Sequence, residues 1–224
     1  MRSTIGTFRP RGVLFARDEP RESLLRTALF PEYKGSRERD PVIRKTVRSL
    51  VDGLLESGAP IVSAKGYEAD DVIASAADIL ADVYGQVVIA SQDKDLGQLV
   101  SARVRLFKAK GLLDVAAVTK LWGVQPKQVP EVQALCGDKA DDIPGLRGVG
   151  PKTAAKIIVR FGSIQRAMTH AEEWLTPAMT EGKGFKWKRN LELTSLVRSL
   201  DLPISLASIE KGFNWSRFAK LTRR

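Results

Sequence analysis

Short apolar runs alternate with helical stretches over the first hundred residues. That alternation confines this half of the chain to a parallel α/β sheet. The runs are Val13–Ala16, Pro60–Ser63, residues 87–91 (VVIAS) and Val104–Phe107. Between them, residues 41–57 place Val42, Thr46, Leu50 and Leu54 on one side of a helix. Residues 68–80 turn Val72, Ile73, Ala76, Ala77 and Leu80 inward. The VVIAS strand is expected at the centre of the sheet. From about Val115 the pattern is helical, with Gly and Pro from Gly123 to Pro151 separating short helices. The best helix candidates there are 152–160 and 186–200. Two regions are therefore expected: an α/β region over 1–114, with a basic segment at about 21–45, and a helical region over 115–224.

Charge follows the same division. The chain carries 36 Lys and Arg against 26 Asp and Glu, a net of +10. Residues 151–224 alone hold 14 basic and 6 acidic residues, so most of the excess lies in the last third. Such a balance suits a polyanion, nucleic acid first, although a merely soluble basic surface has the same composition. Cys136 is the only cysteine and His170 the only histidine. An intramolecular disulfide, a cysteine-rich zinc site and any His-pair mechanism are excluded. No run approaches the ~20 apolar residues of a membrane span. The basic MRSTIGTFRPRG at the N-terminus lacks the apolar centre of a secretory signal. A soluble cytoplasmic protein is expected.

Three acidic groups interrupt this basic chain: Glu68-Ala69-Asp70-Asp71, Asp93-Lys94-Asp95 and Asp138-Lys139-Ala140-Asp141-Asp142. Glu68 and Asp71 share a helix face, and helix capping accounts for one or two acids there without any function. Asp93 and Asp95 follow a strand end, where open α/β sheets bind ligands, although a polar loop with one Asp cap reads similarly. Asp138 and Asp141 converge from one turn, and Asp142 could cap the next segment. Carboxylates from three loops repel one another unless a counter-charge joins them. Hard divalent cations, Mg²⁺ or Mn²⁺, match a donor set without His or Cys. Two such ions about 4 Å apart can ionise a water and stabilise the leaving oxygen in phosphodiester hydrolysis. A structural calcium site is the competing reading, but nothing matches an EF-hand loop.

Residues 145–155, GLRGVGPKTAA, carry the second signal. Gly148 and Gly150 permit a tight turn, Pro151 suits the first helical position, and Lys152, Thr153 and Lys156 surround the helix N-terminus that follows. This is a helix-hairpin-helix pattern, which binds a DNA backbone without reading sequence. An ordinary αα turn is the bland alternative. Carbonyls of the turn could also hold a monovalent cation such as K⁺.

With these residues assembled, the chain resembles the flap endonuclease / 5′–3′ exonuclease family, which includes the 5′-nuclease domain of bacterial DNA polymerase I. The matching stretches are FPEYKGSR (30–37), GYEADDVIA (66–74), SQDKDLGQLV (91–100) and GDKADDIPGLRGVGPKTAAKII (137–158), in the family's order. The resemblance implies a PIN-like α/β fold followed by a helix-hairpin-helix (helix-3-turn-helix) region. It implies a metal-dependent nuclease acting on 5′ ends and flaps of branched DNA, with two Mg²⁺ or Mn²⁺ ions as cofactor, and a monomer. Its metal ligands carry onto Glu68, Asp70, Asp71, Asp93, Asp95, Asp138 and Asp141. Lys34 carries over as the active-site lysine, Arg37 as a phosphate contact, Tyr33 as a base-stacking partner and Arg26, the arginine upstream of that motif, as a further DNA contact. A solvated helix face is the alternative for this basic segment.

Three features depart from the family pattern. Asp142 stands where relatives usually have Asn. The family's opening strand, which ends in a metal-binding aspartate, has no match in the acid-free MRSTIGTFRPRG. The next strand normally ends Phe-Asp but here reads Phe15-Ala16-Arg17-Asp18, so Asp18 is expected to supply the ligand from a shifted position. A weakly stable sheet, or one completed by a partner, is the corresponding expectation. The competing functions are a non-catalytic binder of branched DNA and a hairpin-containing glycosylase. The first gains nothing from the carboxylates, and the second needs only one catalytic acid.

Overall fold

The computed structural model describes residues 6–37, 40–180, 185–211, 214 and 217. Strand β1 (Phe15–Ala16) pairs in parallel with β2 (Ile61–Val62), and α1 (Leu25–Leu29) and α2 (Pro41–Glu56) lie between them in the chain. After α3 (Ala69–Tyr84), β3 (Val87–Ala90) pairs in parallel with β4 (Val104–Lys108), and β5 (Gly111–Leu113) returns antiparallel on β4. The helical half contains α4 (Val115–Trp122), α5 (Val129–Cys136), α6 (Pro151–Phe161), α7 (Ile164–Thr169), α8 (Trp187–Thr194) and α9 (Leu206–Lys211). The chain is thus α/β, mostly parallel and flanked by helices, followed by a helical region.

The strands form two small sheets rather than one, ordered β1-β2 and β3-β4-β5. Among the described residues the VVIAS strand is therefore an edge, and β4 is central. The hairpin to β5 escapes the sequence pattern because GLL is too short to show an alternation. Both sheets lean on α3, whose small residues serve two faces. Val72 and Ala76 pack with Val62 and Leu202, while Ala74, Ala77 and Ala81 join Ile89 and Leu106. That second cluster continues into the helical half through Val118, Val129, Val132, Leu135 and Ile158. One core thus crosses the change of pattern near Val115, and it fixes the acidic loops of the two halves against each other.

Two helices differ from their periodicity. In α2 only Gly53 and Leu54 are buried, and Val42, at the start of the expected inward face, is 71% exposed. The helix expected over 186–200 stops at Thr194 because side chains of other elements take the following backbone donors. Leu196 N–H donates to Gln98 Oε1 at 3.0 Å, Val197 N–H to Asp71 Oδ1 at 2.9 Å and Leu200 N–H to Ser75 Oγ at 3.2 Å. Such pairing is tertiary, and no helical period records it.

Candidate metal centre and nucleic-acid interface

The acids reach one site because three element ends meet. Glu68 is the N-cap of α3, and its N–H donates to Asp71 Oδ2 at 3.2 Å. Asp93 and Asp95 follow β3, with the Asp95 N–H on Asp93 Oδ1 at 2.9 Å. Asp138 and Asp141 sit in a loop pinched shut by paired bonds between Asp138 and Ile143, at 2.9 and 3.0 Å. The pinch requires glycine at both ends. Gly137 has φ +74°, and a Cβ on Gly145 would stand 2.1 Å from the Cys136 carbonyl. Glu68, Asp70, Asp95, Asp138 and Asp141 then line one cavity together with Lys34 and Gln133.

Basic side chains already hold part of this charge. Lys34 contacts Glu68 Oε1 and lies 3.7 Å from Asp141 Oδ2. Its φ of +52° is uncommon for lysine, and its N–H donates to the Asp141 carbonyl at 3.0 Å. Arg37 pairs with Asp141 and donates to the Ala140 carbonyl at 3.0 Å. Lys94 pairs with Asp138. Burial opposes the Lys94 charge, but Asp138 and its acidic neighbours outweigh that and raise its pKa.

The sequence singled out Arg26 and Tyr33 as DNA contacts, and the structure places them elsewhere. Arg26 is 8% exposed and spans Asp71, Glu68 and the carbonyls of Leu193 and Ser195. Tyr33 is 2% exposed, and its hydroxyl donates to Glu68 at 2.8 Å and Asp141 at 3.3 Å. A ring so enclosed offers no face to a base. Asp71 is fully buried and both its oxygens are taken by Arg26, with further donors from Glu68 and Val197. No oxygen of Asp71 is left for a cation. Here the capping reading describes the residue, because a buried carboxylate is stabilised only by such saturation. Asp142 adopts φ +58°, a conformation that Asn and Asp tolerate best, and accepts from Ser36 N–H and Oγ. The backbone donor leads in holding its carboxyl below the usual range.

The remaining acids are not at rest. Burial, then Asp93, pushes Asp70 up to about 7, with Asp18 and Glu68 adding to it and Lys34 opposing. Burial and Asp93 push Asp95 up to about 6. Asp18 accepts the Ala69 N–H at 2.8 Å, which holds it beside this group. No group of three or more His, Cys, Asp or Glu among the described residues is drawn together as in a filled metal site. The donor chemistry nevertheless fits a hard divalent ion: oxygens only, in mutual repulsion, with the buried Gln133 Oε1 lacking a hydrogen-bond partner among the described residues. Gln133 and Lys94 were not singled out from the sequence. The available signal was a polar residue inside the apolar VPEVQALC.

The hairpin is formed by α5, the 137–150 loop and α6. Leu146, Val149, Ala154 and Ile158 are buried. Lys152, Thr153 and Lys156 stay exposed beside the unpaired first-turn amides of α6. Of the two turn glycines, only Gly148 has positive φ, at +75°; Gly150 is an ordinary N-cap at −88°. No helix among the described residues is long and apolar enough to cross a membrane.

Comparison with known proteins gives the same pattern. Residues 1–127 match the family described as 5′-3′ exonuclease, N-terminal resolvase-like domain, and residues 124–214 match 5′-3′ exonuclease, C-terminal SAM fold. A 5′-3′ exonuclease of Aquifex aeolicus is 33% identical over 206 residues, 91% of this chain and 71% of that protein. DNA polymerase I of Mycobacterium bovis is 34% identical over 209 residues, 86% of this chain but 22% of the polymerase. Among solved structures, T5 5′-exonuclease with bound zinc ions superposes with a TM-score of 0.66 at 22% identity, covering 99% of this chain and 86% of that one. A T5 flap endonuclease in complex with DNA and metal ions superposes equally, with a TM-score of 0.66 at 21% identity, covering 99% and 85%.

Proposed function

Because the chain belongs to the 5′–3′ exonuclease family, we propose that it is a Mg²⁺- or Mn²⁺-dependent nuclease that hydrolyses DNA phosphodiesters at 5′ ends and flaps, in cytoplasmic replication or repair. One observation carries this reading: acids from three separate element ends line one cavity with Lys34, in a chain whose exposed hairpin is basic. The metal and DNA found with the T5 relative support it. Asp70, Asp93, Asp95 and Asp138 would hold two ions, with Glu68, Asp141 and Asp18 around them. When bound, such ions would supply an ionised water and stabilise charge on the leaving oxygen.

The chain's own groups divide the remaining work. Lys34, released from Glu68 by incoming charge, stabilises the phosphate in the transition state. Arg37 stands at the rim, half-exposed, to bind an adjacent phosphate. Tyr33 and Arg26 hold Glu68 in place from the buried side. Lys152, Thr153, Lys156 and the amides around Gly148 and Gly150 grip the duplex backbone, which sets the distance from duplex to cleavage point.

The direct test is cleavage of a 5′-flap substrate with and without Mg²⁺. Metal-dependent release of the flap is expected, and EDTA stops it. Flap binding without cleavage at any Mg²⁺ concentration would favour the non-catalytic DNA binder instead. The hairpin assignment is checked separately by titration against salt. Lys152→Ala is expected to weaken all duplex sequences alike and to flatten the plot of log affinity against log salt by about 1. A sequence-selective loss contradicts it.

A further inference from the structure

Gln133 is 2% exposed and lines the acidic cavity from α5. Its neighbours in the helix, Val132, Ala134 and Leu135, are core residues, so packing alone would favour an apolar side chain here. Its Nε2 instead donates to Asp95 Oδ1 at 2.6 Å and reaches Asp138 Oδ2 at 3.3 Å. Asp95 belongs to the loop after β3, and Asp138 to the loop after α5. One amide group therefore joins the carboxylates of the two halves. The orientation of the amide is fixed by charge, because the reverse would set Oε1 against two carboxylates. Among the described residues, Oε1 is then left buried with no hydrogen-bond partner. Buried polar atoms are rarely left so, and an unsatisfied acceptor beside a group of acids calls for a donor that the protein does not supply.

We propose that Gln133 is a positioning residue for the divalent ion: Nε2 holds Asp95 and Asp138 at one spacing, and Oε1 accepts a hydrogen bond from a water in the ion's coordination shell. This rests on the metal-dependent reading above. The bond to Asp95 Oδ1 also fixes the rotation of that carboxylate and leaves its Oδ2 for the ion, while Asp138 is held on both sides, its Oδ1 by the Ala140 N–H at 2.9 Å and its Oδ2 by Gln133 and Lys94. Outer partners of this kind typically change metal affinity ten- to a hundredfold when removed.

The test is direct Mn²⁺ binding to the metal-free chain, followed by the EPR signal of free Mn²⁺, together with melting in EDTA and flap cleavage. Gln133→Met keeps the length and removes both polar atoms. It is expected to weaken Mn²⁺ binding about tenfold, to leave the melting temperature in EDTA unchanged or raised, and to lower kcat at limiting metal while KM for DNA stays the same. A merely structural residue would lower the melting temperature and leave Mn²⁺ affinity alone, which overturns the proposal. Gln133→Glu covers the case in which the Met variant fails to fold. It places a charged oxygen where Oε1 stands, so Mn²⁺ should raise its melting temperature more than it raises that of the wild type. An equal or smaller rise shows that Oε1 does not face the ion. A wild-type chain that binds no Mn²⁺ overturns the metal reading, and this inference with it. A wild type that binds Mn²⁺ beside a Met variant that binds it equally overturns only the role of Gln133.

Discussion

Replacing Asp70 with Asn is expected to abolish metal-dependent cleavage and, in EDTA at pH 8, to make the protein more stable. Asp70 stands half-buried at the start of α3, and burial, then Asp93, raises its pKa from 3.8 to about 7. The unfolded chain ionises it near 3.8, so the folded state holds the proton between that value and about 7. Stability from this group is full below the lower value and is lost as pH rises through the upper one. At pH 8 the folded chain carries a charge that its neighbours repel. Asn removes the charge and keeps the shape, which should return about 2 kcal/mol, or roughly 5 °C of melting temperature for a chain of this size. At pH 5 the gap between variant and wild type should narrow. Cleavage of a 5′ flap, by contrast, should fall at least about a hundredfold, because the oxygen lost is one that would hold the ion. Calorimetry in EDTA at the two pH values, with a parallel cleavage assay, checks both halves. Wild-type cleavage by Asp70→Asn would remove this residue from the metal set, and equal stability at both pH values would remove the repulsion.

The second large effect is expected at Arg26. Its guanidinium donates to both oxygens of Asp71, to Glu68 at 3.1 Å, and to the carbonyls of Leu193 at 3.1 Å and Ser195 at 2.9 Å. It therefore ties three segments together: the basic segment, the start of α3 and the turn after α8. Arg26→Met should cost about 3–5 kcal/mol in urea unfolding, because Asp71 is left buried and unpaired. Arg26→Lys should recover little, since a single ammonium cannot reproduce a planar fork that serves four acceptor groups. Adding Asp71→Asn to Arg26→Met should recover part of the loss by removing the uncompensated charge. A cost under about 1 kcal/mol for Arg26→Met would show that the buried pair does not hold these segments together. DNA affinity corrected for folding should change little, which separates this role from a phosphate contact.

Much of the protein could be read from the chain itself. Local rules governed the α3 start, the Asp93 and Asp95 loop and the Pro151 entry to α6, because strand runs, caps and Gly-Pro turns act over a few residues. The three acid groups were visible as a set for the same reason: carboxylates without His or Cys in a chain of +10 charge need an unusual cause. The helical half was equally legible in the 145–155 hairpin, whose small and basic residues are consecutive.

What the sequence could not decide was which acid faces which cation, because that depends on groups far apart in the chain. Asp71 and Asp70 are adjacent, yet one is saturated by Arg26 and the other is left in repulsion with Asp93. Arg26 and Tyr33 read as surface groups beside Lys34, but the fold turns them inward, 2% exposure for Tyr33 against the half-exposed Arg37. Gln133 gave only the faint sign of a polar residue in an apolar helix. That α3 packs against both small sheets is likewise something a single helical period cannot express. Sequence by itself determined most of the elements, the stock of acids and the basic hairpin, since these arise from neighbours in the chain. Tertiary structure alone decided which carboxylates are free to hold an ion, since burial and pairing are set by segments far apart in the chain, 45 residues for Arg26 and Asp71 and 167 for Arg26 and Leu193.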